Sequence, residues 1–230
     1  RPERVSELTA RAFVLATSGR PGPTLVSCPD DVLAAGGATS SGLRLGARRY
    51  PHLRTAPDPA AVREAVLVLG EAARPAIIAG GGVLSAGAWD ELLQVAELLD
   101  APVATTPLGK GAIDEAHPLA AGVMSAYTGG EMGRGRIAND VIRDADVVLL
   151  VGTKTGNVAT SNWTLPDPSC RTVHVDVDVA EIGRNYRSLG VLGDAKLGLA
   201  ALAELLEAAG ARPATGRRAD LARDLADWRA

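Results

Sequence analysis

The sequence predicts an open α/β fold built on a parallel sheet. Three observations carry that prediction. Ala76-Ile77-Ile78-Ala79 is an apolar run ending in Gly80-Gly81-Gly82, with an amphipathic stretch following at Ala88 to Leu99. Val147-Val148-Leu149-Leu150-Val151 is apolar at every position, as in a strand covered on both faces. From Asp58 onward, short apolar runs alternate with helix-length periodic stretches, which implies parallel strands joined by right-handed crossovers.

Val5 to Thr17 carries apolar residues at Val5, Leu8, Ala12 and Leu15, the spacing of a helix. Ser18-Gly19-Arg20-Pro21-Gly22-Pro23 is a turn, and Thr24 to Cys28 reads as a short strand stopped by Pro29-Asp30-Asp31. Residues 33–57 are rich in Gly, Ser, Pro and Arg without periodicity, so they read as a linker at a domain boundary. Asp58-Pro59 caps a helix through Leu69, with Pro at a tolerated first-turn position. Strand Ala76–Ala79, helix Ala88–Leu99 and strand Val103–Thr106 follow. Leu108 to Gly135 is glycine-rich and reads as loop. Ile137–Arg143 is helical, and Val147–Val151 is the strongest strand. Thr172–Val177 and Val191-Leu192 are the last two strands, with a helix expected over Val179–Tyr186 between them. Ala195–Ala209 is an Ala/Leu-rich helix, and the charged stretch from Arg212 to Ala230 reads as a loose helical tail.

Composition narrows the function classes. Of 230 residues, 47% are hydrophobic and only 3% aromatic, so the core must be built from Ala, Val, Leu and Ile. Net charge is −3 with no long basic block, which argues against nucleic-acid binding. No apolar run approaches the ~20 residues that span a bilayer. Arg1-Pro2-Glu3-Arg4 lacks the apolar core of a signal peptide. Cys28 and Cys170 fit no metal or redox spacing and are expected to be reduced thiols of a cytoplasmic protein.

Ligands of open parallel sheets bind outside the carboxyl ends of the strands. In chain order those ends carry Gly80, Gly81 and Gly82; Thr105, Thr106 and Lys110; Gly152, Thr153 and Lys154; Asp176 and Asp178; and Gly193 and Asp194. Glycines permit close backbone approach, hydroxyls and Lys can meet phosphates, and a carboxylate can accept from ribose hydroxyls. A plainer reading stands beside each. The glycines only make turns, Asp176 and Asp178 cap the following helix, and the two lysines are solvated. His117 and His174 have no visible nucleophile or metal-ligand partner. Trp163 is read as a packing anchor rather than a ring-stacking platform. There is no Gly-x-Ser-x-Gly, His-Glu-x-x-His or phosphate-loop signature, and Ser85 stands where a Gly-x-Gly-x-x-Gly fingerprint needs its third glycine.

Several segments together resemble the thiamine-diphosphate enzymes, in particular the acetolactate-synthase-like group. Ser18 to Pro23 followed by Pro29-Asp30-Asp31-Val32 resembles the end of their pyrimidine-binding domain. Arg74-Pro75 to Gly82, Ala101 to Thr106, Gly109-Lys110-Gly111 and His117-Pro118-Leu119 with Gly122 resemble successive parts of their central domain. So do Asp144-Ala145-Asp146 to Gly152 and His174-Val175-Asp176-Val177-Asp178. The same holds for Glu181-Ile182-Gly183, Asn185 and Gly193-Asp194-Ala195.

The resemblance implies a three-layer, Rossmann-like (DHS-like) domain with a six-stranded, mostly parallel sheet and helices on both faces. Such domains bind FAD in acetolactate synthases and ADP in oxalyl-CoA decarboxylases, and are purely structural in other relatives. Carried over by position, the nucleotide-facing residues are Gly80, Gly81, Thr106, Gly122, Val123, Gly152, Thr153, Lys154, Asp176, Val177, Gly193 and Asp194. Three departures are visible: Lys154 stands where FAD-binding members carry Arg, Gly156 and Asn157 replace an acidic pair, and the loop from Tyr127 to Arg136 is longer than in synthases.

The implied organisation is an end of the pyrimidine-binding domain at 1–32, a linker at 33–57, the central domain at 58–210 and a tail at 211–230. Thiamine diphosphate and Mg²⁺ belong to the parent enzyme. Neither the activating glutamate nor the Gly-Asp-Gly…Asn segment is found here, so no catalytic residue is assigned. The expected partners are the pyrimidine- and pyrophosphate-binding domains and a second copy of the chain, with Thr24–Cys28 either pairing with another chain or folding onto the central domain. Two alternatives remain: an assembly module without nucleotide, and a sirtuin-like NAD-dependent deacylase.

Overall fold

The structure is a computed structural model that describes residues 4–35, 51, 53–128, 133–210 and 215–229. The chain divides into two units, residues 1–54 and 55–230. Most of the linker expected at 33–57 lies outside the described residues.

In the first unit, α1 spans Val5–Ala16 and α2 spans Asp30–Ala34. The expected strand at Thr24–Cys28 is not formed: residues 21–29 carry no ladder, and Leu25 is 92% exposed. A strand exists only with a partner, and the described elements of this unit are both helices. Within the described residues, Thr24–Cys28 pairs with no other strand.

The second unit runs α3 (Pro59–Gly70), β1 (Pro75–Ala79), α4 (Gly81–Ala86), α5 (Trp89–Leu99), β2 (Val103–Thr105), β3 (Ala120–Val123) and α6 (Arg134–Arg143). It continues with β4 (Val147–Val151), β5 (Arg171–Asp176), β6 (Ser188–Leu192), α7 (Ala195–Ala208) and α8 (Arg217–Arg229). All strands are parallel, in the order β3-β2-β1-β4-β5-β6. That is the doubly wound order, with its switch point between β1 and β4. The α/β prediction and the six-stranded sheet both hold.

Local chemistry explains the helix starts. Asp58 accepts from the Ala60 N–H at 2.8 Å with Pro59 in the first turn of α3. Asp194 Oδ1 accepts from Lys196 N at 3.0 Å and Leu197 N at 3.3 Å, capping α7.

Strand alternation feeds two cores. Ile77, Leu149, Val173 and Val191 pack with α3, α5 and α7 through Val62, Leu69, Leu92, Val95, Leu199 and Leu202. Ile78, Val148 and Leu150 face the other way, against Ile137 and Val141 of α6 and Leu221 and Leu225 of α8.

Four expectations need correction. The glycine triplet does more than turn: Gly80 is the N-cap of α4, and Gly81 and Gly82 open it. Part of the stretch read as loop between 108 and 135 is β3. Its small residues fit because the strand lies under α6, where Ala120 and Ala121 are buried. Residues 179–186 form turns rather than a helix, with Gly183 at φ +73°. The tail is not loose: α8 buries Leu221, and Arg217 Nη2 donates to Val141 O at 2.9 Å. That carbonyl lies in the last turn of α6, so a buried guanidinium caps the helix end. Burial and the neighbouring Arg74 hold its pKa below the ordinary guanidinium value.

Candidate functional site at the carboxyl edge of the sheet

At the switch point, glycines allow the β1 and β4 exits to touch. A Cβ on Gly80 would lie 2.2 Å from Gly152 O, and one on Gly82 would lie 2.6 Å from Gly152 Cα. Gly152 itself is left-handed at φ +55°. Gly80 N donates to Val151 O at 2.8 Å and Gly82 N to Gly152 O at 2.9 Å. Gly109 closes the same crevice, its Cβ position being 2.1 Å from Ala79 O. These positions require glycine because backbone meets backbone there. Their Cα faces meet protein.

Beyond Gly152 the chain is clamped. His174 is 1% exposed and its Nε2 lies 3.0 Å from Thr153 O. A carbonyl only accepts, so Nε2 carries the proton. Asn185 Nδ2 donates to Lys154 O at 3.2 Å and Thr155 O at 3.1 Å. Trp163 Nε1 also donates to Thr155 O, at 3.1 Å. Thr155 N in turn donates to Thr153 Oγ1 at 3.2 Å. Three successive carbonyls are thus each held by a side chain, on a segment whose Lys154 side is exposed. Thr155 has φ +49°, and Ser161, Asn162 and Trp163 have φ +49°, +57° and +61°. A left-handed non-glycine residue costs of order 1–2 kcal/mol, so this loop is held in place by its bonds.

The other predicted residues fall along the same edge with less freedom. Thr106 Oγ1 accepts from Gly109 N at 3.1 Å. Asp176 Oδ1 accepts from Asp178 N at 2.9 Å, and Asp176 Oδ2 lies 3.7 Å from His174 Nε2. Asp194 is the α7 cap, and Val177 is half-buried. Gly193 packs on residues 55–57, its Cβ position being 3.0 Å from Pro57 N. Gly122, at φ +108°, lies under Arg134, whose Cγ would meet a Cβ there at 3.3 Å. Val123 follows it, half-buried. Arg134 Nη2 donates to Ala120 O at 2.9 Å, while its Nε is buried with no hydrogen-bond partner among the described residues.

Sequence reasoning assigned no role to Asn185 or Arg134 and read Trp163 as packing. Asn185 was visible only as part of the closing segment of the resemblance. Nothing in the spacing of Arg134 marks it in the sequence. Lys110, the other candidate cation, is paired with Glu115.

Chemically, the edge can bind, orient and shield, but it carries no visible nucleophile. Burial pushes the Cys170 thiol up to about 11, which keeps it protonated. Burial also raises the Tyr186 phenol, whose OH donates to Leu165 O at 2.8 Å. Among the described residues no group of three or more His, Cys, Asp or Glu could hold a metal ion. No described helix is long and apolar enough to cross a membrane.

Comparison with known proteins places this geometry. Residues 62–202 match the family model described as the thiamine pyrophosphate enzyme central domain. A probable acetolactate synthase large subunit from Methanocaldococcus jannaschii is 34% identical over 207 residues, 85% of this chain and 33% of that protein. A glyoxylate carboligase from Escherichia coli O157:H7 is also 34% identical over 207 residues, 88% of this chain and 33% of that one. Benzoylformate decarboxylase from Polynucleobacter necessarius superposes with a TM-score of 0.70 at 22% identity, over 89% of this chain and 37% of its own, a likeness of fold. The chain spans about a third of the length of the curated relatives it matches.

Proposed function

The chain belongs to the family of thiamine pyrophosphate enzyme central domains, and from that premise we propose that it serves as the middle portion of an acetolactate-synthase-like enzyme acting on 2-oxo acids. Thiamine diphosphate, with Mg²⁺ on its diphosphate, would supply the electron sink for carbon–carbon cleavage or ligation when bound in the longer protein. Residues 1–32 are read as the end of a neighbouring pyrimidine-binding domain. The family match favours this reading over the deacylase one.

The role proposed for the described residues is to present a nucleotide-binding edge for FAD or ADP. The observation that carries it is the clamped segment 153–155 at the β4 exit, which leaves Lys154 outward beside the switch point. Arg134 is a cation already engaged along β3: its Nη2 donates to Ala120 O at the amino end of the strand and to Glu115 O. Lys154 would meet phosphate as a point charge, without the planar fork that Arg offers. Asp176 would accept from a ribose through Oδ2, since Oδ1 already accepts from Asp178 N.

A purely structural role is the competing reading, and one observation favours it: the glycines, Asp194 and the Thr106 hydroxyl are all engaged within the chain. Isothermal titration with ADP, FAD and NAD separates the two. Saturable binding of ADP or FAD, with Kd below about 100 μM and weakened by Lys154→Ala, is expected. No heat at millimolar ligand would leave the scaffold reading standing.

A further inference from the structure

We propose that Trp163 is a preformed stacking platform for the heteroaromatic ring of the nucleotide bound at this edge, a role resting on the nucleotide reading above. Four observations lead there.

The indole is pinned: its Nε1 donates to Thr155 O at 3.1 Å and its backbone N–H to Thr160 Oγ1 at 3.2 Å. Pinning fixes the ring plane before any ligand arrives, so little ordering is required on binding. The ring is nonetheless not packed away, because Trp163 is 47% exposed. A tryptophan serving only as an anchor would bury its large apolar surface. Its place is one residue along from the exposed Lys154: the carbonyl it holds belongs to Thr155. A cation for a phosphate and an exposed aromatic ring for a base therefore share one hydrogen-bonded loop. Finally, the indole reaches this position through three successive left-handed residues, Ser161, Asn162 and Trp163. A backbone shape of that kind persists only where surrounding contacts over-determine it. Here those contacts are Asn162 N to Asn157 O at 2.7 Å, Thr164 Oγ1 to Ser161 O at 2.7 Å, and the two Trp163 bonds.

The alternative is that Trp163 acts only through its N–H, as a clamp on Thr155. The two roles separate by substitution. Trp163→Phe keeps a flat aromatic face and removes the donor, whereas Trp163→Leu removes both. Stacking predicts that ADP affinity stays within about threefold of the wild type in the Phe variant. It falls at least tenfold in the Leu variant, consistent with measured base–aromatic contributions.

A second measurement leaves position 163 intact. In a Trp89→Phe, Trp228→Phe background, saturating ADP or FAD should quench or shift the remaining indole emission. Equal losses in the Phe and Leu variants, an unchanged Leu variant, or emission indifferent to saturating ligand would each overturn the proposal while leaving nucleotide binding in place. Absence of ADP and FAD binding by the wild-type chain would overturn both.

Discussion

The helices α3, α5 and α7 close one face of the sheet with side chains such as Val62, Leu92, Leu199 and Leu202, all 2% exposed or less. The opposite face is shared. Helix α6 packs on β1–β3 with α8 against it, but over β5 the inward positions are Thr172, His174 and Asp176. Their hydrogen-bond partners are on loop: Thr153 O for His174, Arg187 O for Thr172 and Asp178 N for Asp176. One face is held throughout by non-directional apolar burial, and the β5 part of the other by directional hydrogen bonds. Burial tolerates small displacements at graded cost. Directional bonds fix a loop in one place, which is what a binding edge requires.

Three substitutions probe that contrast, in falling order of expected effect. Leu202→Ala removes a side chain that is 0% exposed in the helix-built face. It should cost about 3 kcal/mol through lost burial and a residual cavity, lowering Tm by ~6–12 °C in a thermal melt. An effect below ~1 kcal/mol would show that the apolar face is not the main source of stability. Gly152→Ala tests the junction between the halves. Its Cβ would lie 2.6 Å from Gly82 Cα at a backbone φ of +55°. Overpacking and left-handed strain together should cost about 2 kcal/mol, a Tm drop of ~4–8 °C. An unchanged melt would mean that the β1 and β4 exits can separate freely. Asn185→Ala removes the donor shared by Lys154 O and Thr155 O on the loop-built face. Global stability should fall by no more than ~1 kcal/mol. Amide exchange should accelerate within 153–163 while β1 and β4 stay protected. Uniform acceleration across the sheet would erase the distinction between the faces.

Much of this fold is legible in the chain. Val147–Val151 reads as a buried strand because every position is apolar, and Asp58-Pro59 and Asp194 announce helix starts by cap chemistry that needs only neighbouring residues. What fails to show is of two kinds, strand pairing and local turn chemistry. β3 is built of Ala and Gly, with no alternation to read, and becomes a strand because β2 lies beside it. The stretch 179–186 has helix-like composition, but the Asx turns at Asp176 and Asp178 and the left-handed Gly183 break it. Thr24–Cys28 looks like a strand yet has no ladder partner in its unit.

At the site, the residue types and their order along the strand ends were readable, including Thr153, Lys154 and Asp176. Their states were not. Whether Trp163 is buried or displayed, and which donor holds each carbonyl of 153–155, depend on groups up to 31 residues apart. Local pattern and cap chemistry act within a few residues, so the sequence by itself determined the layers and the strand ends. The pairing of β3, the glycine contact at the switch point and the clamp on the β4 exit join distant segments. Only tertiary packing could decide them.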